Sequence, residues 1–443
     1  MLAYHYSKSE NHEKAYKYLK LSGNKASKNY SNWEAFRFCG EAINVLTKIP
    51  ETEENKREQI EVRLLMAAPM YFLGFPEDSL EILQNGEELS RELGDEKSIA
   101  HFLSLMGQYY AWKGEDLHLA HLGIQYSEAA FKEAEKIGDI ELMAPIGMDL
   151  CRVHFFRGEV SKIIDVASMI IALLDKTQRQ TEFFGRAFNA YSALHSEYAF
   201  SMGMLGNFEE GRVLFEKGLD FALKIKDLFA LSLLEMHYGT VLTSKGDGKD
   251  AIEHIQNSMS YDDEGQMVFR SGVAWMHLGW AYCLLGKLKT AQEYMEKGLK
   301  IHIDRGALFH TRSFYWSLSM VHLELGDLKK ARYNAEEALK SSQKSLDRWH
   351  EGLAWILLGR IHGKAEKPQD SNGEECILRG IRILDDLKLK PLYAQGHHFL
   401  GELYANKGQQ NKAINNLKKA EGMFQEMGMD HWLAKTDEVL KGL

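Results

Sequence analysis

The sequence predicts an all-α fold, an α-solenoid of stacked helical hairpins, and three observations carry that expectation. Small residues recur in helical context at Ala67, Gly107, Cys151, Ala199, Gly239, Gly279, Ser319, Gly359 and Gly401, in steps of 40, 44, 48, 40, 40, 40, 40 and 42 residues. Seven residues after eight of these nine anchors stands a glycine: Gly74, Gly114, Gly158, Gly206, Gly246, Gly286, Gly326 and Gly408. Only six prolines occur in 443 residues, which leaves long helices uninterrupted. A fixed period of this length marks an array in which each unit buries its apolar face against its neighbours.

Each element of the repeat has a physical reason. A phased glycine suits a helix end, because it takes the left-handed conformation that closes the helix. Asp, Glu or Asn often follows it, as in Gly206-Asn207 and Gly326-Asp327, and suits the start of the next helix. Twelve residues after the anchors come Ser79, Gly211, Ala251, Ala291, Ala331 and Ala413, with Leu119 and Ile163 departing from the pattern. Small residues facing one another across a hairpin let its helices approach closely. The anchor at Gly359 lacks the glycine; Glu366 stands there, beside the loop-like Lys367-Pro368-Gln369-Asp370-Ser371-Asn372-Gly373. The two longer steps predict extended helices or an inserted turn near Lys176–Gly185.

The resulting domain reading is residues 1–56 as N-terminal helices of a partial repeat, 57–427 as about nine repeats and 428–443 as a C-terminal capping helix. The array should wind into a right-handed superhelix with a concave face. The chain opens partway into a repeat-like unit, with Ala3 and Ala15 at the two small positions, which reads as a piece cut from something longer.

Composition narrows the function. The net charge is −9, without the basic excess of a nucleic-acid binder. No run of 18 apolar residues is present, so no membrane span is expected. Cys39, Cys151, Cys283 and Cys376 are far apart, without disulfide-framework or zinc-site spacing, which suits a reducing cytoplasm.

The segment Trp275-Met276-His277-Leu278-Gly279-Trp280-Ala281-Tyr282, followed by Gly286, Ala291 and Gly298, resembles the tetratricopeptide (TPR) consensus W-x2-L-G-x2-Y. Leu400-Gly401-Glu402-Leu403-Tyr404 with Gly408, Ala413 and Ala420 repeats it. The period is 40 rather than about 34, so each hairpin should carry longer helices. More broadly, the chain resembles the C-terminal TPR region of bacterial proteins in which a class III adenylate/guanylate cyclase domain and a STAND-type ATPase precede the repeats. That resemblance rests on Leu2-Ala3-Tyr4-His5-Tyr6-Ser7, Ile140-Glu141-Leu142-Met143-Ala144-Pro145, Met204-Leu205-Gly206-Asn207-Phe208 and Lys419-Ala420-Glu421-Gly422-Met423-Phe424. Its motifs are structural, and the catalytic parts of that architecture are not in this sequence.

Chemistry-bearing motifs are missing. No G-x-x-x-x-G-K-[ST] or H-E-x-x-H occurs, and Lys245-Gly246-Asp247-Gly248-Lys249 is the turn of a repeat. His118 and His121 share a helix face, but a solvated helix start explains them. His154, His322 and His362 occupy the slot of Tyr110, Tyr282 and Tyr404 and are expected to pack, as are Cys151 and Cys283. Asp262-Asp263-Glu264 reads as an exposed acidic turn. No catalytic, cofactor-binding or metal residues are assigned.

In the TPR fold the first helix of each pair lines the concave groove. The resemblance therefore points the residue after each anchor and the residue three before it inward. In mid-chain these are Phe200, Met236, Met276, Trp280, Trp316 and Met320, an apolar lining that suits an amphipathic or extended segment. The Lys and Asn of a carboxylate clamp are not at these positions. The expected function is a non-catalytic protein–protein interaction scaffold, the regulatory or sensor arm of a larger bacterial signalling ATPase or cyclase. Its partner would be a protein or peptide segment in the groove or the attached domain, with no nucleic acid and no membrane. Two other readings stand beside it: a small-molecule-sensing array, and part of a nucleotide cyclase whose catalytic domain lies outside this chain.

Overall fold

The computed structural model describes residues 11–29, 31–113, 117–186, 188–265, 267, 270–304, 310–364 and 372–443. Among these residues there are helices and turns and no strand. The helices run in antiparallel pairs: α1 (His12–Lys28) with α2 (Asn32–Leu46), then α3 (Glu53–Leu65) and α4 (Ala67–Phe72) with α5 (Ser79–Glu92). There follow α6 (Glu96–Lys113) with α7 (Leu117–Ile137), α8 (Ile140–Arg157) with α9 (Val160–Thr177), and α10 (Ala190–Met204) with α11 (Phe208–Ile225). The next are α12 (Leu228–Lys245) with α13 (Gly248–Glu264), α14 (Ser271–Leu284) with α15 (Leu288–Asp304), and α16 (Thr311–Glu324) with α17 (Leu328–Lys344). The last are α18 (Arg348–Lys364) with α19 (Asn372–Asp386), α20 (Lys390–Asn406) with α21 (Gln410–Met427), and the single helix α22 (Asp430–Lys441). The molecule is an α-solenoid of TPR-type hairpins.

The close approach expected from the small residues is present. A Cβ added to Gly211 would lie 3.0 Å from the Ala199 carbonyl oxygen, and one added to Gly279 would lie 2.8 Å from that of Ala291. Where serine takes the anchor, its hydroxyl donates across the hairpin instead, from Ser319 Oγ to the Ala331 carbonyl at 2.6 Å. The Gly359 anchor meets the Gly373 carbonyl, two residues beyond the twelve-residue spacing. The turn glycines are left-handed: Gly74, Gly158, Gly206, Gly246, Gly286, Gly326 and Gly408 all have φ between +68° and +109°. Gly114, the eighth, lies outside the described residues, as do Ala3, Leu2 to Ser7 and Glu366.

Departures from the regular period have local causes. Between α3 and α4 the first helix of its pair breaks at Met66. Pro69 has no N–H to offer the Leu65 carbonyl, the last residue of α3, so the helix cannot run through. The step from Gly107 to Cys151 is absorbed by α7, which is 21 residues long. The step from Cys151 to Ala199 is absorbed by an irregular segment after α9, which ends at Gln178 in the left-handed region (φ 55°).

The array curls until its C-terminal pairs touch its middle. A Cβ on Gly158 would lie 2.7 Å from Trp349 Cβ, one on Gly206 would lie 2.5 Å from Met427 Sδ, and one on Gly246 would lie 2.7 Å from His431 Cβ. Gln395 Nε2 also donates to the Ser244 carbonyl at 3.1 Å. The turn glycines Gly286, Gly326 and Gly408 have open space at the same position. Three successive hairpin turns are therefore docked against helices 185 to 221 residues away, and one buried cluster runs from Phe200 and Phe215 through Trp349 and Leu353 to Leu400 and Tyr404. Phe208, at the start of α11, packs on both this cluster and the C-terminal one of Phe424, Met427 and Trp432.

Two outcomes follow. Gly298→Ala would drive a methyl into the Gly272 carbonyl at 2.5 Å and should destabilise the protein by about 1–3 kcal/mol in chemical denaturation. Gly422→Ala, where nothing lies within 4 Å, should instead gain about 0.5–1 kcal/mol. Phe208→Ser should loosen the contact between middle and C-terminal pairs, raising the radius of gyration in small-angle scattering with helix content by circular dichroism unchanged.

Candidate functional site

The inner surface of the curl encloses a cavity of about 120 Å³. It is built by the repeat itself. Counted from the anchors Gly239, Gly279, Ser319 and Gly359, the residues six before are Leu233, Val273, Ser313 and Leu353, and all four line it. Three before the first three anchors are Met236, Met276 and Trp316, and two before are His237, His277 and Ser317; these line it too. Thr240 and Trp280, one after their anchors, complete the set. Residues spaced by three, four and seven fall on one helix face, so each first helix turns a single stripe inward.

Of the six groove positions named from sequence, Phe200, Met236, Met276, Trp280 and Trp316 line this chamber. Met320 lines a second chamber of about 350 Å³, which shares Trp280, Trp316 and Leu353 as walls. Trp280 and Trp316 meet edge to face at 5.1 Å on that shared boundary. On the opposite wall Phe155 stacks on His237 at 5.2 Å and Phe200 lies 5.8 Å from Trp349.

The lining is not only apolar, and this corrects the sequence expectation of an apolar groove. Glu197 is fully buried at 0% exposure, and neither of its carboxylate oxygens receives a hydrogen bond. Arg152 approaches one of them at 3.4 Å while donating to Tyr71 Oη at 2.7 Å. Arg312 is paired with Asp347, which His350 Nδ1 also reaches at 2.8 Å. Arg270 has Asp262 behind it at 3.9 Å, and its Nη1 has no acceptor. Asp262 is thus buried and receives the Ser232 hydroxyl, so the acidic turn expected at Asp262-Asp263-Glu264 is exposed only at its last two residues.

These surroundings move the titrations. Burial pushes the Glu197 carboxyl up, against the pull of Arg152 and Arg270. Burial also works against ionisation of Asp347, but the neighbouring His350 and Arg312 outweigh it and hold the carboxyl well below the usual range. Burial brings His277 down to about 4 and puts His237 and His310 well below the ordinary value, so these imidazoles are neutral at pH 7. Hydroxyls from the preceding inner helix meet two of the rings: Ser196 Oγ lies 3.0 Å from His237 Nδ1, and Thr240 Oγ1 lies 3.2 Å from His277 Nδ1.

The sequence reading missed Glu197, His237, His277, Arg270, Arg312 and Asp347. A signal existed for the first three. Asp149, Glu197, His237, His277 and Ser317 each stand two residues before an anchor, a polar stripe across five successive repeats. The other histidines settle as structural groups: His154 Nδ1 bonds Glu159 at 2.7 Å, His397 meets Asn416 and His398 meets Thr436. His118 and His121 are exposed on α7. Cys151 is buried with its thiol 3.9 Å from the Ile163 carbonyl, and burial raises its pKa well above the free value. Among the described residues no group of three or more His, Cys, Asp or Glu could hold a metal ion, and no helix is long and apolar enough to cross a membrane.

Residues 273–301 and 394–425 match the tetratricopeptide repeat family. No curated protein matches the sequence. Among solved structures, the chain is similar to a Rap protein complexed with competence and sporulation factor, at 14% identity and TM-score 0.49, with 93% of this chain and 98% of that one covered. A STAND protein with a tetratricopeptide repeat sensor from Pyrococcus horikoshii is similar at 16% identity and TM-score 0.47 over 87% of this chain; the match spans 55% of that protein's length. Human IFIT1, solved as a dimer with m7Gppp-AAAA, is similar at 14% identity and TM-score 0.46, over 88% of this chain and 86% of that one.

The neutral imidazoles predict acid lability with a definite sign. His195, His277 and His302 each titrate near 4 in the fold, and an unfolded histidine titrates at about 6.5. The unfolded chain therefore binds more protons between these values, so stability is complete above about pH 6.5 and declines as the pH falls towards 4, by up to about 1.4 kcal/mol per pH unit for each histidine. Glu197, held up by burial, opposes this trend in the acid part of that window. Melting temperatures measured at pH 7 and pH 5 should show the drop, and His277→Gln should make it shallower.

Proposed function

We infer that this chain is a non-catalytic protein-interaction scaffold whose inner chamber is its sensing site, serving as the regulatory arm of a larger signalling protein. The observation that carries this reading is the chamber between the middle and C-terminal pairs. Its walls come from α4, α6, α8, α10, α12 and α14 on one side and from α16 and α18 on the other, and the turns at Gly158, Gly206 and Gly246 dock the middle pairs on the C-terminal ones. A molecule that binds there touches both sides at once. It therefore favours one curvature of the array over another, by as much as its affinities for the two differ. The outer surface, whose spacing follows that curvature, is what an attached domain or a separate protein reads.

Two features support a sensing role over a purely structural core. The chamber combines aromatic walls with buried charged groups whose hydrogen-bonding capacity is unfilled, a combination that is costly in a core and useful in a site. The resemblance of the sequence to the repeat region of cyclase–STAND ATPase proteins points the same way, and the signal would pass to the domain attached there.

The test is a thermal-shift screen of the purified chain against a library of metabolites and short peptides, with Trp280→Ala run beside it. Trp280 is half-buried at the boundary of the two chambers, so its removal should change the site more than the fold. Compounds that bind the folded state raise its melting temperature, by about 2.7 kcal/mol of stabilisation at one hundred times Kd. At least one compound should stabilise the wild type and lose most of its effect in Trp280→Ala. If no compound stabilises the wild type, or if every shift survives the substitution, the chamber is not a sensing site.

A further inference from the structure

The charges around the chamber are balanced pair by pair. Arg152 stands with Glu197 at 3.4 Å, Arg270 with Asp262 at 3.9 Å and Arg312 in contact with Asp347, and in the adjoining small cavity, which shares Arg152, Arg186 stands with Asp149 at 2.6 Å. Of the histidines facing the space, His237, His277 and His310 are held neutral by burial, and His350 is bonded to Asp347. A ligand with a net charge would therefore bring an uncompensated charge into a buried place, which is expensive. A ligand with no net charge would not.

The balance hides a local asymmetry. Two of the pairs are complete: Asp347 is reached by both Arg312 and His350, and Asp149 receives Ser104 Oγ as well as Arg186. The other two are not. Glu197 has an ion pair but no hydrogen bond on either oxygen, at 0% exposure. Arg270 keeps Nη1 without an acceptor. These two groups line the same chamber. The chamber thus presents an unfilled anionic acceptor and an unfilled cationic donor among its walls. Around them stand Phe155, Phe200, Trp316 and Trp349, against which water would find few hydrogen-bonding partners.

We propose that the chamber binds a small zwitterion, a free α-amino acid with an apolar side chain, its ammonium donating to Glu197 and its carboxylate accepting from Arg270. The ammonium and carboxylate of one α-carbon match the opposite signs of the two groups and leave the pairwise balance intact. The side chain lies against the aromatic walls, and one too large for the 120 Å³ space has the adjoining 350 Å³ chamber to enter past Trp280 and Trp316. This rests on the reading of the chamber as the sensing site.

The experiment uses the purified full chain, with thermal shift and calorimetric titration of L-leucine and L-phenylalanine. N-acetyl-leucine, which lacks the ammonium, and leucinamide, which lacks the carboxylate, are the two controls. The free amino acid should raise the melting temperature, and each control should bind at least ten-fold more weakly. Glu197→Gln should lose most leucine affinity and Arg270→Gln likewise; the comparison of leucine with its two blocked forms on the wild type decides the matter if either variant fails to fold. Leucinamide binding as well as leucine would overturn the proposal in favour of a peptide amino terminus. Stabilisation only by sugars, nucleotides or other non-zwitterions, lost in Trp280→Ala, would overturn it while leaving the sensing role in place. Stabilisation by nothing at all would remove both.

Discussion

The rest of the structure depends on the distance between two backbones. In several hairpins the first and second helices approach until a glycine Cα faces a carbonyl oxygen, as at Gly211 with Ala199, Gly239 with Ala251 and Gly380 with Gly352. At such separations a single added carbon has nowhere to go. That constraint keeps the hairpin thin, and thin hairpins stacked at a constant interval turn the same stripe of each first helix inward. The chamber is the sum of those stripes. Its residues recur every 40 positions because the close contacts do.

Inner helices are held to one another by polar groups rather than by apolar contact alone. Ser196 with His237, Thr240 with His277, Ser313 with His350 and Ser104 with Asp149 each bridge consecutive first helices. Partners of this kind must be met at a particular angle and distance, so they set the rotation from one pair to the next more sharply than side-chain packing would. A site made of histidine, hydroxyl and guanidinium groups is therefore also the part of the molecule that sets its curvature. The lining of the chamber and the curvature of the array share the same atoms.

Much of the architecture was legible in the sequence because a repeat writes the same requirement many times. One glycine seven residues past an anchor means little, but eight in phase identify a helix end, and those within the described residues are left-handed. Phe200, Met236, Met276, Trp280 and Trp316, which the resemblance to the TPR fold points inward, line the chamber. What was not legible comes from outside the register. Trp349 meets the turn at Gly158 because the C-terminal pairs fold back on the middle, a contact between residues about 190 apart that no local period encodes, while Asp347 is held by Arg312 of the preceding pair. Arg270 stands in the connection before α14, where the period is silent. Glu197 was on the page, two residues before its anchor, but a lone glutamate on a predicted helix reads as solvent-facing until its neighbours at the same slot are lined up. Asp262 was misread for a similar reason: three acids in a row suggest an exposed turn, and only the fold shows Ser232 and Arg270 meeting the first of them.

An open solenoid is nearly one-dimensional: its stability is a sum over neighbours, and it can fray from an end one unit at a time. The docking of Gly158, Gly206 and Gly246 onto Trp349, Met427 and His431 removes that freedom. Fraying of α20 to α22 now exposes the middle of the chain as well as its end, so the terminal pairs are coupled to units far from them in sequence. Closure also brings together segments that must first be fixed separately, at an entropic cost that grows only slowly with the length enclosed. A linear array is thus closed into a loop, and a strain on its closing contacts is shared by the middle and the end of the chain.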